Sequence, residues 1–332
     1  EEKVVHYAVE IPAGEGRYVL NRMSGKIELK VGPLMFLPDP RKEVIVRRVL
    51  DPRTVQLWFP GNQEALEYNQ YLTSLKASTS DRFVTENVYN ALLGGPSAGT
   101  MEMGTRRSKG APGAQGSQGE IGVAYTEELT SHFADAFSRG TSFTPPRMIT
   151  LDTKYDGAVG IGVWTGYAVM VTSKTGKREV VVGPKPRLLE YDEDLEIMEL
   201  STGKPKTTDK RVKTVYLRVK NNKISDILTS ETKDLVAVSL KVSYVVNFEG
   251  EDTQKWFEVE TSVKFLCDRV RSLLKNEIKK HGISEFYNDA IDIVRNTVLG
   301  PAGKDTKRPG RLFEENCMRI YDCEVLKIEI AD

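Results

Sequence analysis

The residues of this chain that could do chemistry are few. It has three histidines, His6, His132 and His281, and three cysteines, Cys267, Cys317 and Cys323. Nucleophilic catalysis needs a serine or cysteine held within hydrogen-bond reach of a base. The local signatures that mark such sites, G-x-S-x-G and H-E-x-x-H, do not occur, and neither does a phosphate-binding loop. His281 follows Lys279 and Lys280 at the end of a helical pattern, where cations suit the negative helix terminus. Cys317 and Cys323 have neither C-x-x-C spacing nor a nearby histidine, which is too few donors for a four-ligand zinc site. The stretch GAVGIGVWTG sets Gly157, Gly160, Gly162 and Gly166 close together. A dinucleotide loop needs G-x-G-x-x-G between a strand and a helix. Here the spacing differs and another strand pattern follows, so tight turns and close strand packing explain the glycines. The sequence therefore predicts no catalytic residue, no cofactor and no metal.

Two charge runs remain. STGKPKTTDKRVK (201–213) is basic, but it has no interleaved aromatics and Asp209 interrupts it, so it reads as a solvated loop. EYDEDLE (190–196) lacks a calcium-loop pattern and reads as strand-edge protection, or as the partner of a basic loop on a neighbouring copy. Lys plus Arg equals Asp plus Glu at 47 each, which gives no net pull toward DNA or an acidic membrane. Scarce cysteine points to a reducing, cytoplasmic setting. No apolar run reaches the length of about eighteen residues that a membrane helix needs, and no signal peptide is visible.

The elements that would position any site show a repetition. VLNRMSGKIELKVGP (19–33) and VMVTSKTGKREVVVGP (169–184) both pass from an apolar strand through a Gly-Lys turn into an alternating strand closed by Val-Gly-Pro. Gly25, Lys26, Gly32 and Pro33 correspond to Gly176, Lys177, Gly183 and Pro184. Residues 1–60 read as a small antiparallel β module, and 61–75 as a short helix. Residues 61–143 read as a linker or insertion, partly disordered: from about 76 to 120 small and polar residues leave too little apolar area to offset chain entropy. TEELTSHFADAF (126–137) keeps some helical character. Residues 144–332 form the remaining domain. Strands fill 149–248, with Val236, Val238, Leu240, Val242 and Tyr244 on an apolar face. Val263, Leu266, Val270 and Ile278 then recur at helical spacing up to a stop at Gly282. A second helix starts from Ser284 as N-cap and ends before Gly300. MRIYDCEVLKIEI (318–330) is a closing strand with Cys323 and Val325 opposite Leu326, Ile328 and Ile330. Strands, two helices and one strand make an α+β layout.

EGRYVLNRMSGKIELKVGP resembles a body repeat of the major vault protein family. GYAVMVTSKTGKREVVVGPKPRLLEYDEDLEIMELSTGKPK resembles the shoulder domain of that family, including LSTGKPK at 200–206. SDILTSETKDLVAVSLKVSYVVNF and the segment 263–300 resemble the hairpin and helices of that domain. The resemblance implies an SPFH/band 7-like fold, an antiparallel sheet with helices on one side, shared with stomatins and flotillins. It also implies a non-enzymatic protein whose main partner is itself. Many copies would stand side by side in a ring, barrel or vault-like cage, a ribonucleoprotein particle of the cytoplasm, with the cargo unspecified. The alternative is a membrane-microdomain scaffold, which would need a hydrophobic hairpin or an acylated cysteine that this segment does not supply. On the assembly reading, lateral contacts are expected from Glu28 and Lys30, from Arg178 and Glu179, and from Lys264 and Arg271 on the helix at 259–280.

Overall fold

The computed structural model describes residues 8–78, 157–303 and 307–330. They fall into two compact units. Residues 8–78, 157–160 and 188–191 belong to the first, and 161–187, 192–303 and 307–330 to the second. The expected disordered stretch at 76–120 lies, but for its first residues, outside the described residues, as do the helix at 126–137, His6 and His132.

The first unit opens with β1 (Val9–Ile11), β2 (Gly16–Asn21), β3 (Ile27–Val31), β4 (Leu34–Phe36) and β5 (Glu43–Val46). β2 is central, with β3 and β5 antiparallel on either side, while β1 pairs with β4 as a separate ribbon. Two helices follow. α1 (Pro52–Trp58) has proline in its first turn, and Asp51 caps it by accepting from the Arg53 N–H at 3.0 Å. α2 (Gln63–Ser78) covers the predicted helix; α1 was not expected, although Asp51-Pro52 is a start signal. Asn69, fully buried on α2, accepts from the Leu50 N–H at 2.9 Å and donates to the Leu50 carbonyl at 2.7 Å. That pair satisfies a buried backbone that no strand closes.

The chain continues with β6 (Gly160–Val163), β7 (Tyr167–Ser173), β8 (Arg178–Val182), β9 (Lys185–Leu188) and β10 (Glu193–Leu195), all in the second unit but for Gly160 and Leu188. β11 (Met198–Ser201) and β12 (Arg211–Thr214) form a hairpin, and β13 (Leu217–Arg218) joins β7. The main sheet has the order β14 (Asn222–Glu231), β15 (Ala237–Phe248), β17 (Met318–Ile330), β16 (Arg311–Phe313). Asn221, at φ 51°, turns the chain into β14. After a 3-10 turn at Thr253–Phe257 come α3 (Ser262–Ile278) and α4 (Ile283–Leu299). Val238, Leu240, Val242, Tyr244 and Val246 of β15 are buried in one core with Leu266, Val270 and Leu274 of α3 and with Phe286, Val294 and Val298 of α4. The apolar strand face and the helical stripe read from the sequence thus pack in the same core.

Two local expectations are corrected. The alternation expected for the closing strand slips twice, because β17 bulges against β15 between Lys241 and Val242 and again between Val245 and Val246. A bulge inserts one unpaired residue and reverses the faces beyond it. Tyr321 and Leu326 are skipped and exposed, and Cys323, Val325 and Ile328 share a side instead of opposing one another. Gly282, in turn, does not close α3. It stands as N-cap of α4 at φ −72°, and Ser284 lies inside that helix. Neither supplies a side-chain cap. Asp234, from the turn before β15, does so: both carboxylate oxygens accept from the Ile283 N–H, at 3.1 and 3.0 Å.

Hydrogen bonds from Thr232 and from the Ile283 amide hold the Asp234 carboxyl below its usual range. A carboxylate with a depressed native pKa stabilises above its unfolded pKa and loses that contribution as pH falls through the native value. Asp234→Ala should therefore speed amide exchange at Ile283–Phe286 at neutral pH. The difference from the parent protein should begin to shrink as pH falls below about 4 and vanish only below the lowered native pKa. Hydrogen exchange with mass spectrometry checks it.

Candidate assembly surface

The two Gly-Lys stretches fold into the same module. β2 lies between β3 and β5, as β7 lies between β8 and β10. β1 pairs with β4, and β6 with β9. A parallel bridge joins Ala13 to Gly32 in one and Thr165 to Gly183 in the other. Gly32-Pro33 and Gly183-Pro184 are both cis. Gly25 and Gly176 take φ of 71° and 85° in their turns, beside the exposed Lys26 and Lys177. The first turn is longer by one residue, since Asn21 pairs with Lys26 where Ser173 pairs with Lys177. Gly32 and Gly183 are glycine for a steric reason. A Cβ there would overlap the carbonyls of Ile11 and Pro12 in the first module, or of Val163 and Trp164 in the second. Gly25 and Gly176 have open space around them and need only the left-handed backbone.

The first module is closed by two further segments of its own unit, residues 157–160 and 188–191. Ala158 N–H donates to the Gly16 carbonyl at 2.8 Å, and Leu189 N–H to the Val159 carbonyl at 2.9 Å. The Tyr18 hydroxyl donates to the Leu189 carbonyl at 2.8 Å and accepts from the Val159 N–H at 3.0 Å. Burial, its largest influence, pushes the Tyr18 phenol up, so it stays a neutral two-way connector. Tyr191 packs edge-on against Tyr18, and Arg48 donates to the Glu190 carbonyl at 3.0 Å. A side chain at position 16 would press into Leu29, Ala158 and Leu188. Sequence reading missed this seam, because a tyrosine in an alternating strand looks like ordinary core.

Of the expected lateral residues, most stand on the module surfaces. Glu28 lies between Lys26 and Lys30, at 3.3 and 3.1 Å, and Lys30 followed by Lys26 holds its carboxyl below the usual range. Arg178 pairs with Glu196 at 2.8 Å, while Arg187 spans Glu179 and Glu193 at 3.3 and 3.0 Å. The acidic run is thus partly taken up by the module's own arginines. Lys264 is paired with Asp268 on α3. Arg271 does not reach outward. Its side chain is 17% exposed and grips Asp226, which is 0% exposed, through Nε at 2.7 Å and Nη2 at 2.8 Å.

Asp226 is an acid at an inward position of β14, and the sequence flagged nothing there, although ISDIL breaks the apolar alternation. It also accepts from the Lys206 N–H at 2.9 Å, and Arg271 donates to the Lys206 carbonyl at 2.9 Å. The basic run expected as a solvated loop is therefore partly built in: Lys206 is buried, and Arg211–Thr214 is the strand β12. Two of the three thiols, Cys267 and Cys323, are buried too, and Cys317 is half-buried. Burial pushes Cys323 up to about 12 and Cys267 well above its ordinary range, so neither offers a thiolate at neutral pH. Among the described residues no group of His, Cys, Asp or Glu is placed to hold a metal.

Residues 220–332 match the sequence profile of a family described as a shoulder domain of major vault proteins. The likeness extends beyond that segment. Major vault protein of Bos taurus is 24% identical over 96% of this chain and 34% of its own length. Major vault protein alpha of Dictyostelium discoideum is 27% identical, and major vault protein of Strongylocentrotus purpuratus 28%, each over 48% of this chain and 19% of its own length. The chain resembles part of a major vault protein. It spans between 19% and 34% of these relatives. The major vault protein likeness and the mixed α+β fold, with antiparallel sheets and few helices, agree with the sequence reading.

Two stability series test this account by urea unfolding. Gly32→Ala should cost about 3 kcal/mol through forced overlap, against about 1 kcal/mol for Gly25→Ala, where only the backbone conformation is strained. Arg271→Ala should cost about 3–5 kcal/mol by stranding a buried carboxylate, and Asp226→Asn in the same chain should restore part of it.

Proposed function

We propose that this protein is a non-enzymatic structural component that assembles side by side with copies of itself into a ring, barrel or vault-like shell. The observation that carries the proposal is the module built twice. A thin β module with open edges gains stability by stacking and by lateral neighbours. Repetition suits construction better than catalysis, and the shoulder-domain match at 220–332 points the same way. The pairing of one antiparallel sheet with α3 and α4 supports an SPFH/band 7-like reading of the second unit. The relatives are named as vault proteins, and on this reading the chain shares their cytoplasmic, particle-forming role. The membrane-scaffold alternative draws no support from the described residues, where no helix is long and apolar enough to cross a membrane.

Light scattering and electron microscopy of the purified full-length protein should show closed rings or barrels of uniform diameter. A strictly monomeric protein would contradict the proposal, and co-flotation with liposomes would favour the scaffold instead.

A further inference from the structure

The two modules differ at one edge. In the second, the ladder between β7 and β8 pairs Ser173 with Lys177 and Tyr167 with Gly183, so the backbone groups of Arg178, Val180 and Val182 face away from β7. The 3-10 turn at Thr253–Phe257 approaches this edge, and the Gln254 side-chain amide donates to the Arg178 carbonyl at 3.2 Å. In the first module the ladder between β2 and β3 pairs Asn21 with Lys26 and Glu15 with Gly32. Ile27, Leu29 and Val31 therefore turn their N–H and C=O groups outward. Among the described residues no strand or side chain meets them. Beside this edge Val31, Leu34 and Met35 are 51%, 42% and 66% exposed.

Among the described residues no strand pairs with the opposite edge of the same sheet either. The ladder between β2 and β5 pairs Arg22 with Lys42, so Glu43 and Ile45 face outward from β5; the Glu43 N–H already donates to the Asp39 carbonyl at 2.7 Å, which leaves the Glu43 carbonyl and both backbone groups of Ile45 to meet a neighbour. β3 and β5 both run antiparallel to β2, so they run parallel to each other. A copy shifted sideways with the same orientation would bring its β5 edge to the β3 edge of its neighbour. Lys26, Glu28, Lys30 and Glu43 lie on one face of the sheet, by their pairing with β2. Lys26 and Lys30 of one copy, which flank Glu28, would then lie beside Glu43 of the next, whose carboxylate also accepts from the Asp39 N–H at 2.9 Å.

We propose that the β3 edge of the first module is the docking edge for β5 of a second copy of this chain, so that the three-stranded sheets join into a continuous belt through main-chain hydrogen bonds. This rests on the self-assembly reading and adds its contact. It is a head-to-tail contact, which closes into a ring under rotation and does not stop at a dimer.

The test uses the full-length protein with paired cysteines, Glu43→Cys combined in turn with Lys26→Cys, Glu28→Cys or Lys30→Cys. Within one copy β2 separates the two positions by about 9–10 Å, too far for a disulfide. At least one pair should give a ladder of cross-linked multimers on non-reducing gels under mild oxidation, with none from the single variants. Ile27→Pro removes only an outward-facing N–H. It should abolish particles by light scattering while leaving the circular dichroism spectrum and melting temperature near those of the parent. Particles that form normally in Ile27→Pro, with no ladder from any pair, would overturn the edge contact and leave self-assembly standing. Cross-linked dimers without higher bands would overturn the head-to-tail geometry. A parent protein that stays monomeric would remove both the contact and the reading beneath it.

Discussion

A three-stranded antiparallel sheet has two edges and one apolar face, and it cannot close either by itself. Every durable feature of the twin modules follows from that shortage. The ribbon made by β1 and β4 folds back at Gly32, where only a hydrogen fits between β4 and the carbonyls of Ile11 and Pro12. Residues 157–160 and 188–191 of the same unit then complete it, with the Tyr18 hydroxyl bonded to Val159 and Leu189. In the second module, Ala168 and Met170 of β7 sit in the main core with Leu217 and the β15 strand.

The second unit meets a different demand. Its sheet has ample apolar area, so hydrophobic burial alone does not fix how the 202–210 loop, β14 and α3 are arranged. The Asp226 carboxylate does so, by collecting Arg271 from α3 and the Lys206 amide from the loop. Burying a charge is costly, and the arrangement is favourable only when all of its donors are in place. Directional bonds of this kind select one packing among several that an apolar core would tolerate. The same economy appears at Asp234 and Asn69, each of which closes backbone groups contributed by a distant element.

The histidines, thiols and charge runs that a reader would first search for chemistry have structural partners where they are described. His281 lies 2.9 Å from Glu285 in the turn between the helices. Cys267 and Cys323 are packed among apolar side chains. Glu193 and Glu196 answer the arginines of their own module. Among the described residues, the β3 edge and the exposed Val31, Leu34 and Met35 beside it face outward.

Much was legible in the residue string, because local chemistry decides it. The repeated Gly-Lys turn, the apolar face of β15, the stripe of α3 and the presence of α4 follow from side-chain period and from the few residues that tolerate a left-handed backbone. Other features needed three dimensions. The faces of β17 depend on two bulges set by pairing with β15, and a period of two cannot announce an inserted residue. Arg271 looked like surface because helical spacing does not say which charge finds a buried partner. The tyrosine seam, the Asp234 cap and the Gln254 bond to the β8 edge all join residues far apart in the chain. Sequence set the conformations that each segment could adopt. Only the tertiary structure decided which of them met, because long-range hydrogen bonds and edge closure depend on distance in space.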